Sequence, residues 1–245
     1  MFNSLQLTGQ TAAHVRDSAA LGCTLHPQTA QALLAMREAA RSQGIELAVV
    51  SAFRDFERQS AIWNAKFRGE RRVLDRDGRP LEWPGLPEAQ RVAAILRWSA
   101  LPGASRHHWG TDFDVIDTRA VAEGYRPQLV TAEFGERGVF AKLDAWLAEH
   151  AGRFGFFRPY STDRGGVLPE PWHLSYAPAS VPALESLTLE LLSQTLGAST
   201  LCGRECVLEL LPEIYRRYVK DVDEVDRRGS NGRPPSPSAP RTTPS

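Results

Sequence analysis

Two short stretches constrain this chain more than anything else in it: Ser105-Arg-His-His-Trp-Gly-Thr-Asp-Phe-Asp114 and Glu170-Pro-Trp-His173. The first sets a histidine and a carboxylate on either side of a tight Trp-Gly turn, where Gly110 lets the backbone fold back on itself. The second brings another histidine, three residues after a carboxylate, from a distant part of the chain. Two imidazoles and one carboxylate are the donor set of a catalytic zinc site with one position left for water. Because the second histidine arrives from so far along the chain, a site of this kind would tie two strands together.

Spacing alone allows more than one reading of each residue. His107, Asp114 and His173 form one ligand set, and His108 can replace His107 in it. Glu170 suits a base beside the metal, held by Pro169 and Pro171, or it is a surface carboxylate in a proline-rich turn. Arg54 follows the strand Val49-Val50-Ser51 and can grip a carboxylate with two parallel hydrogen bonds, or pair with Asp55 or Glu57. Gln59 can share that polar pocket or face water. Ser105 can orient His107, contact substrate or simply form a turn. Asp112 can fix a histidine tautomer behind the metal, or be solvated. Trp109, Trp172 and Phe113 read as core walls.

The surrounding pattern predicts an α+β chain. Pro27 opens a helix to about Gln43, closed by Gly44. Ile45–Ser51 has the length and β-branching of a strand. Asp55 caps a second helix, and a third runs from about Glu88 to Trp98. Phe113–Ile116 and Trp172–Tyr176 are strands; Val139, Phe140, Leu143, Trp146 and Leu147 repeat at helical spacing. Residues 70–87 form a long, charged, proline-rich loop of the kind that lines grooves. Leu184, Leu187 and Leu191 fit one C-terminal helix, and Ile214 to Val222 another that begins after Pro212.

These elements divide the chain into a catalytic domain at 1–178, a helical extension at 179–226 and a disordered tail at 227–245. The tail is too poor in apolar residues to offset its ordering entropy. Lysine plus arginine equals aspartate plus glutamate at 29 each, so no net field draws in nucleic acid. Three cysteines are too few for a disulfide framework and point to a reducing compartment. With no signal-like start and no run of membrane-spanning length, the expectation is a cytoplasmic monomer without a membrane span.

The motifs resemble those of the VanY-type D-alanyl-D-alanine carboxypeptidases, within the zinc peptidases that include lysostaphin-like enzymes and the hedgehog signalling domain. Ser105, His107, Gly110 and Asp114 meet Ser-x-His-x-x-Gly-x-x-x-Asp. Glu170 and His173 meet Glu-x-x-His, and Ser51-Ala-Phe-Arg54 looks like the family's strand-ending Ser-x-x-Arg. The likeness spans roughly residues 25–178. It implies a small antiparallel sheet flanked by helices, and Zn2+ on His107, Asp114 and His173 in preference to His108. It further implies Glu170 as base, Arg54 as a contact to the substrate or its developing charge, and cleavage near D-alanine in peptidoglycan stem peptides. An L,D-carboxypeptidase or a phage-type wall endopeptidase would use the same chemistry; a zinc-stabilised binding domain would not need Glu170. Two positions depart from the pattern: Asp112 stands where a small residue is common, and Ser175 where arginine is.

Overall fold

Asp112-Phe-Asp-Val-Ile-Asp117 sets apolar side chains between carboxylates, and a strand sends successive side chains to opposite faces. The computed structural model, which describes residues 1–83 and 85–225, builds the molecule around that strand. The chain begins with a short helix α1 (Ser4–Leu7) and a hairpin of β1 (Arg16–Ser18) and β2 (Cys23–Leu25). Then come α2 (Pro27–Ser42), β3 (Leu47–Ser51), α3 (Phe56–Phe67), α4 (Glu88–Leu96), a 3₁₀ turn (Arg106–Trp109) and β4 (Asp112–Asp117). Next are α5 (Thr131–Phe134), α6 (Ala141–His150), β5 (Phe156–Phe157) and β6 (His173–Tyr176). Three helices end the described residues: α7 (Ala177–Ser186), α8 (Leu189–Gly197) and α9 (Arg204–Ile214), the last running into a π-helical turn (Tyr215–Lys220).

The main sheet is antiparallel, in the order β3-β4-β6-β5. Every residue of β4 is buried, because this central strand is covered on both faces. One face sends Phe113, Val115 and Leu174 into a core shared with Leu33 and Met36 of α2 and Leu143 of α6. Each such side chain contributes about 1.5–3 kcal/mol when fully removed from water. The other face carries Asp112, Asp114, His173 and Ser175, and it floors a cleft.

Local signals explain the helices that flank the cleft. Pro27 occupies the first turn of α2. The Asp55 carboxylate accepts the Arg58 N–H at 2.7 Å and caps α3. Within α3 two neighbouring stripes at four-residue spacing part company. Gln59, Trp63 and Phe67 are buried in the interior, whereas Arg58, Ile62 and Lys66 line the cleft.

Two expectations change at the C-terminal end. The leucines at 184, 187 and 191 belong to two helices: the chain breaks at Leu187, and the Thr188 hydroxyl caps α8 by accepting the Leu191 N–H at 3.1 Å. Pro212 lies inside α9, two residues before its end, and the helix continues past it as a π turn. Proline removes one helical donor and crowds the carbonyl four residues back, and a widened turn accommodates that. The expected helical extension shares a core with the front of the molecule: Leu192, Leu196, Val207 and Leu211 pack in one cluster with Trp63, Phe67, Val92 and Ile95. The tail expected from residue 227 onward lies outside the described residues. Among the described residues no helix is long and apolar enough to cross a membrane.

Candidate functional site

The register of the sheet assembles the site. Asp114 of β4 lies directly opposite His173 of β6, and Asp112 opposite Ser175, so all four share the cleft face. His107 comes from the 3₁₀ turn, which ends at Gly110 with φ +65°. That turn is packed tightly enough that a Cβ on Gly110 would stand 2.8 Å from the His26 backbone nitrogen. A side chain there would displace the turn that aims His107.

His107, Asp114 and His173 each offer a donor atom, all within 4.8 Å of one another, and all three residues are buried. His107 Nδ1 lies 2.9 Å from the Ala52 carbonyl, which turns Nε2 inward, 3.7 Å from Asp114 Oδ2. His173 Nε2 lies 3.1 Å from Asp112 Oδ1 and leaves Nδ1 facing Asp114 and Glu170, at 3.3 Å from each. Tetrahedral ligands at about 2.0–2.1 Å from a zinc ion stand about 3.3 Å apart, so this spacing suits zinc. Asp114 Oδ1 is sealed from solvent and makes no well-formed hydrogen bond among the described residues; it faces His173 Nδ1, a fellow donor atom, at 3.3 Å, as two ligands of one cation would.

Electrostatics agree with the geometry. Burial holds the His107 imidazole down to about 3, with Arg54 adding to the effect, so it is neutral and able to coordinate. Burial also opposes charge on His173, but the carboxylates of Asp112, Asp114 and Glu170 outweigh it and raise its pKa well above the ordinary value. That environment favours positive charge at this point. Burial pushes the Glu170 carboxyl up.

The ambiguity between the adjacent histidines disappears in three dimensions. His108 points away from the donor set: its Nδ1 lies 2.6 Å from the Arg54 carbonyl, and its Nε2 accepts the Gly103 N–H at 3.0 Å. The two histidines thereby hold one segment between them, His107 at Ala52 and His108 at Arg54. That brings Arg54 to the cleft beside Asp114 and Glu170. Arg54 forms no ion pair with Asp55 or Glu57, and its buried Nε has no partner among the described residues. Ser105 lines the cleft, with a buried hydroxyl that is also unpartnered. Gln59 is elsewhere: fully buried, it donates to the Ala100 carbonyl at 2.7 Å and is a structural tie on the core stripe of α3.

Asp112 proves to face protein, not water. It accepts from Arg106 Nε at 2.7 Å and from the Thr111 hydroxyl at 2.6 Å as well as contacting His173. Burial would raise its carboxyl, but Arg106 outweighs this and holds it well below the usual range. Arg106 also donates to the Ser175 hydroxyl at 2.6 Å. The two departures from the family pattern are thus one feature: a buried ion pair at Asp112, with Ser175 small enough to admit the guanidinium. Sequence reasoning missed Arg106. Its signal was the co-occurrence of an unexpected acid and a missing arginine on paired strands. It also missed Tyr160, whose ring packs edge-on to His173 at 5.2 Å, and the cations on the cleft stripe of α3. The cleft itself has a volume of about 710 Å³.

The chain is similar to several known proteins. An uncharacterized protein of Haemophilus influenzae is 33% identical over 121 residues, 49% of this chain and 92% of that protein. A D-alanyl-D-alanine carboxypeptidase of Enterococcus faecalis is 30% identical over 142 residues, 57% of this chain and 43% of that protein. Among solved structures, a vancomycin-resistance D,D-pentapeptidase VanY in complex with Zn(II) is 24% identical with a TM-score of 0.49, covering 80% of this chain and 91% of the other. Residues 22–179 match the VanY D-alanyl-D-alanine carboxypeptidase family throughout the segment that builds the cleft, and the chain belongs to that family.

Proposed function

We propose that this chain is a zinc-dependent carboxypeptidase that removes the terminal D-alanine from peptidoglycan stem peptides or their precursors. The observation that carries the reading is the convergence of His107 Nε2, Asp114 and His173 Nδ1 beside a half-buried Glu170 and an Arg54 that, among the described residues, forms no ion pair. Family membership and the Enterococcus relative support it. Zinc held by His107, Asp114 and His173 would supply Lewis-acid chemistry, polarising the scissile carbonyl and making water acidic near neutrality.

The remaining work falls to the chain's own side chains. Arg54 binds the C-terminal carboxylate through two parallel hydrogen bonds and so fixes which peptide bond reaches the donor set. Glu170 takes a proton from the attacking water and returns it to the leaving amine. Asp112 keeps the proton of His173 on Nε2, which leaves Nδ1 free to coordinate.

The test is release of D-alanine from a pentapeptide ending in D-Ala-D-Ala. Replacing Glu170 by alanine is expected to lower turnover by about 10²–10⁴, the usual contribution of a positioned base. Equal turnover by both proteins would exclude the mechanism. Native mass spectrometry should find one zinc, absent from His107→Ala and His173→Ala. Product masses from muropeptides of defined stereochemistry separate D,D from L,D cleavage.

A further inference from the structure

Glu170 and the aromatic neighbour of the donor set are the two ends of one loop. Tyr160 packs edge-on to His173 at 5.2 Å, and Glu170 stands 3.3 Å from His173 Nδ1. The Glu170 N–H donates to the Tyr160 carbonyl at 2.8 Å and closes a neck. Between these ends the chain makes an excursion of the size of an Ω-loop, whose first residues, 161–164, are exposed. The stretch from β5 to β6 is loop, so the sheet itself does not fix where the neck lies.

The hold comes from the segment after α9, well beyond residues 22–179 that match the family. The Asp223 carboxylate accepts the Ser161 N–H at 2.7 Å, the Ser161 hydroxyl at 2.8 Å, the Thr162 N–H at 3.0 Å and the Thr162 hydroxyl. Its own N–H donates to the Pro159 carbonyl at 2.9 Å. One residue thus grips the backbone on both sides of Tyr160. Further along the loop Arg164 pairs with Asp221, and Arg217 donates to the Gly165 carbonyl. The approach is close enough that a Cβ on Gly166 would run into the Arg217 carbonyl. The segment is itself moored to the body: the Tyr215 hydroxyl donates to the Leu187 carbonyl at 2.7 Å, and Lys220 Nζ to the Leu184 carbonyl at 2.8 Å. The three donor residues are placed by other means, His107 by its 3₁₀ turn and Asp114 and His173 by strand register. A reacting group displaced by about 1 Å can lose about 10² in rate, so what holds the neck matters to a base at its end.

We propose that Asp223 is a positioning residue for the reaction: by gripping the chain around Tyr160 it fixes the carbonyl that holds Glu170, so the C-terminal segment sets the place of the base. The inference rests on the reading of Glu170 as that base. It gives the C-terminal helices a task in the site, that of carrying a clamp to a loop which begins and ends beside His173.

Two readouts on the full chain loaded with zinc test it, in Asp223→Ala and Asp223→Asn. An asparagine keeps an oxygen for the Ser161 and Thr162 N–H groups, and its NH₂ can donate to the Thr162 hydroxyl. The first readout is amide hydrogen exchange at Glu170, which reports local opening of the neck and needs no activity. Asp223→Ala should speed it about tenfold or more, the worth of charge-assisted hydrogen bonds, with the β4 amides unchanged; Asp223→Asn should stay close to wild type. The second is release of D-alanine per zinc-bound molecule. In Asp223→Ala kcat should fall about 10–100-fold while KM and zinc content hold, and the loss should largely vanish in the Glu170→Ala background, because both changes act through one group. Ser161→Ala/Thr162→Val removes two of the same bonds from the loop side and should move both readouts the same way by several-fold; it decides the matter if Asp223→Ala does not fold. Unchanged exchange at Glu170, unchanged kcat, or an equal loss in the Glu170→Ala background would overturn the proposal. So would a fall in turnover that only tracks lost zinc or lost folded protein. Failure of wild type to release D-alanine would count against the peptidase reading, while exchange would still decide whether Asp223 holds Glu170 in place.

Discussion

Arg106 and Arg54 enter the same cleft from segments that touch, yet their surroundings are opposite. Arg106 is 3% exposed, bonded to Asp112 and Ser175, and laid over the rings of Trp109 and Phe157 at 5.0 and 5.7 Å. Arg54 sits by the donor set with a buried, unpartnered Nε. A buried charge must be compensated. Arg106 is compensated inside the protein and therefore belongs to the framework that aims His173. On the proposed reading Arg54 is compensated by the substrate carboxylate.

The largest effect that would break this comparison is on stability. Asp112→Ala strands Arg106 without its counter-charge, and breaking a buried pair on one side costs about 3–5 kcal/mol. At about 2–4 °C per kcal/mol for a chain of this size, the melting temperature should fall by roughly 6–20 °C. A fall of less than two degrees would mean that the pair does not serve as framework. Arg54→Met should behave in the reverse sense. Its melting temperature should hold or rise slightly, since a desolvated cation is removed, while kcat/KM falls about 10–100-fold for loss of a charge-assisted contact. Equal loss of stability in the two variants would erase the distinction.

The smallest effect is a pH dependence at Lys66. Burial pulls its ammonium down to about 8, and Arg71 and Arg54 push the same way, against Glu170; Ser99 is its hydrogen-bond partner. Affinity for an anionic ligand should weaken as pH rises through this value, and Lys66→Arg should abolish that weakening. The sign for stability is opposite. Between about 8 and the unperturbed 10.5, the unfolded chain holds a proton that the folded chain has released, so wild type should gain stability relative to Lys66→Met across that window. Melting curves at several pH values read this directly; parallel curves would mean that the Lys66 ammonium is not desolvated in the folded chain.

Much of the frame was legible because its signals are local. Pro27 before α2, Asp55 before α3 and the alternation through Asp112–Asp117 act over a few residues. Other elements carry no such mark. The three-residue strands β1 and β2 are too short and polar for a period to show. Leu187 keeps helical spacing although the helix has ended, because it fills the core from a break in the backbone. Gln59 stands one residue from the cleft stripe, and from a helix start uncertain by a residue no pattern tells which stripe faces inward.

What the amino-acid order determined by itself is the inventory of the site: two histidines, an aspartate and a glutamate at spacings that a turn and a strand can bring to one face. Those spacings are short, and backbone geometry converts them directly into direction. Which histidine of the adjacent pair faces the donor set, and that Arg106 answers Asp112 across the sheet, followed only from the pairing of β4 with β6 and the packing of the 3₁₀ turn. Charge compensation and coordination act over a few ångströms of space, whatever the separation along the chain, and that proximity exists only once the chain is folded.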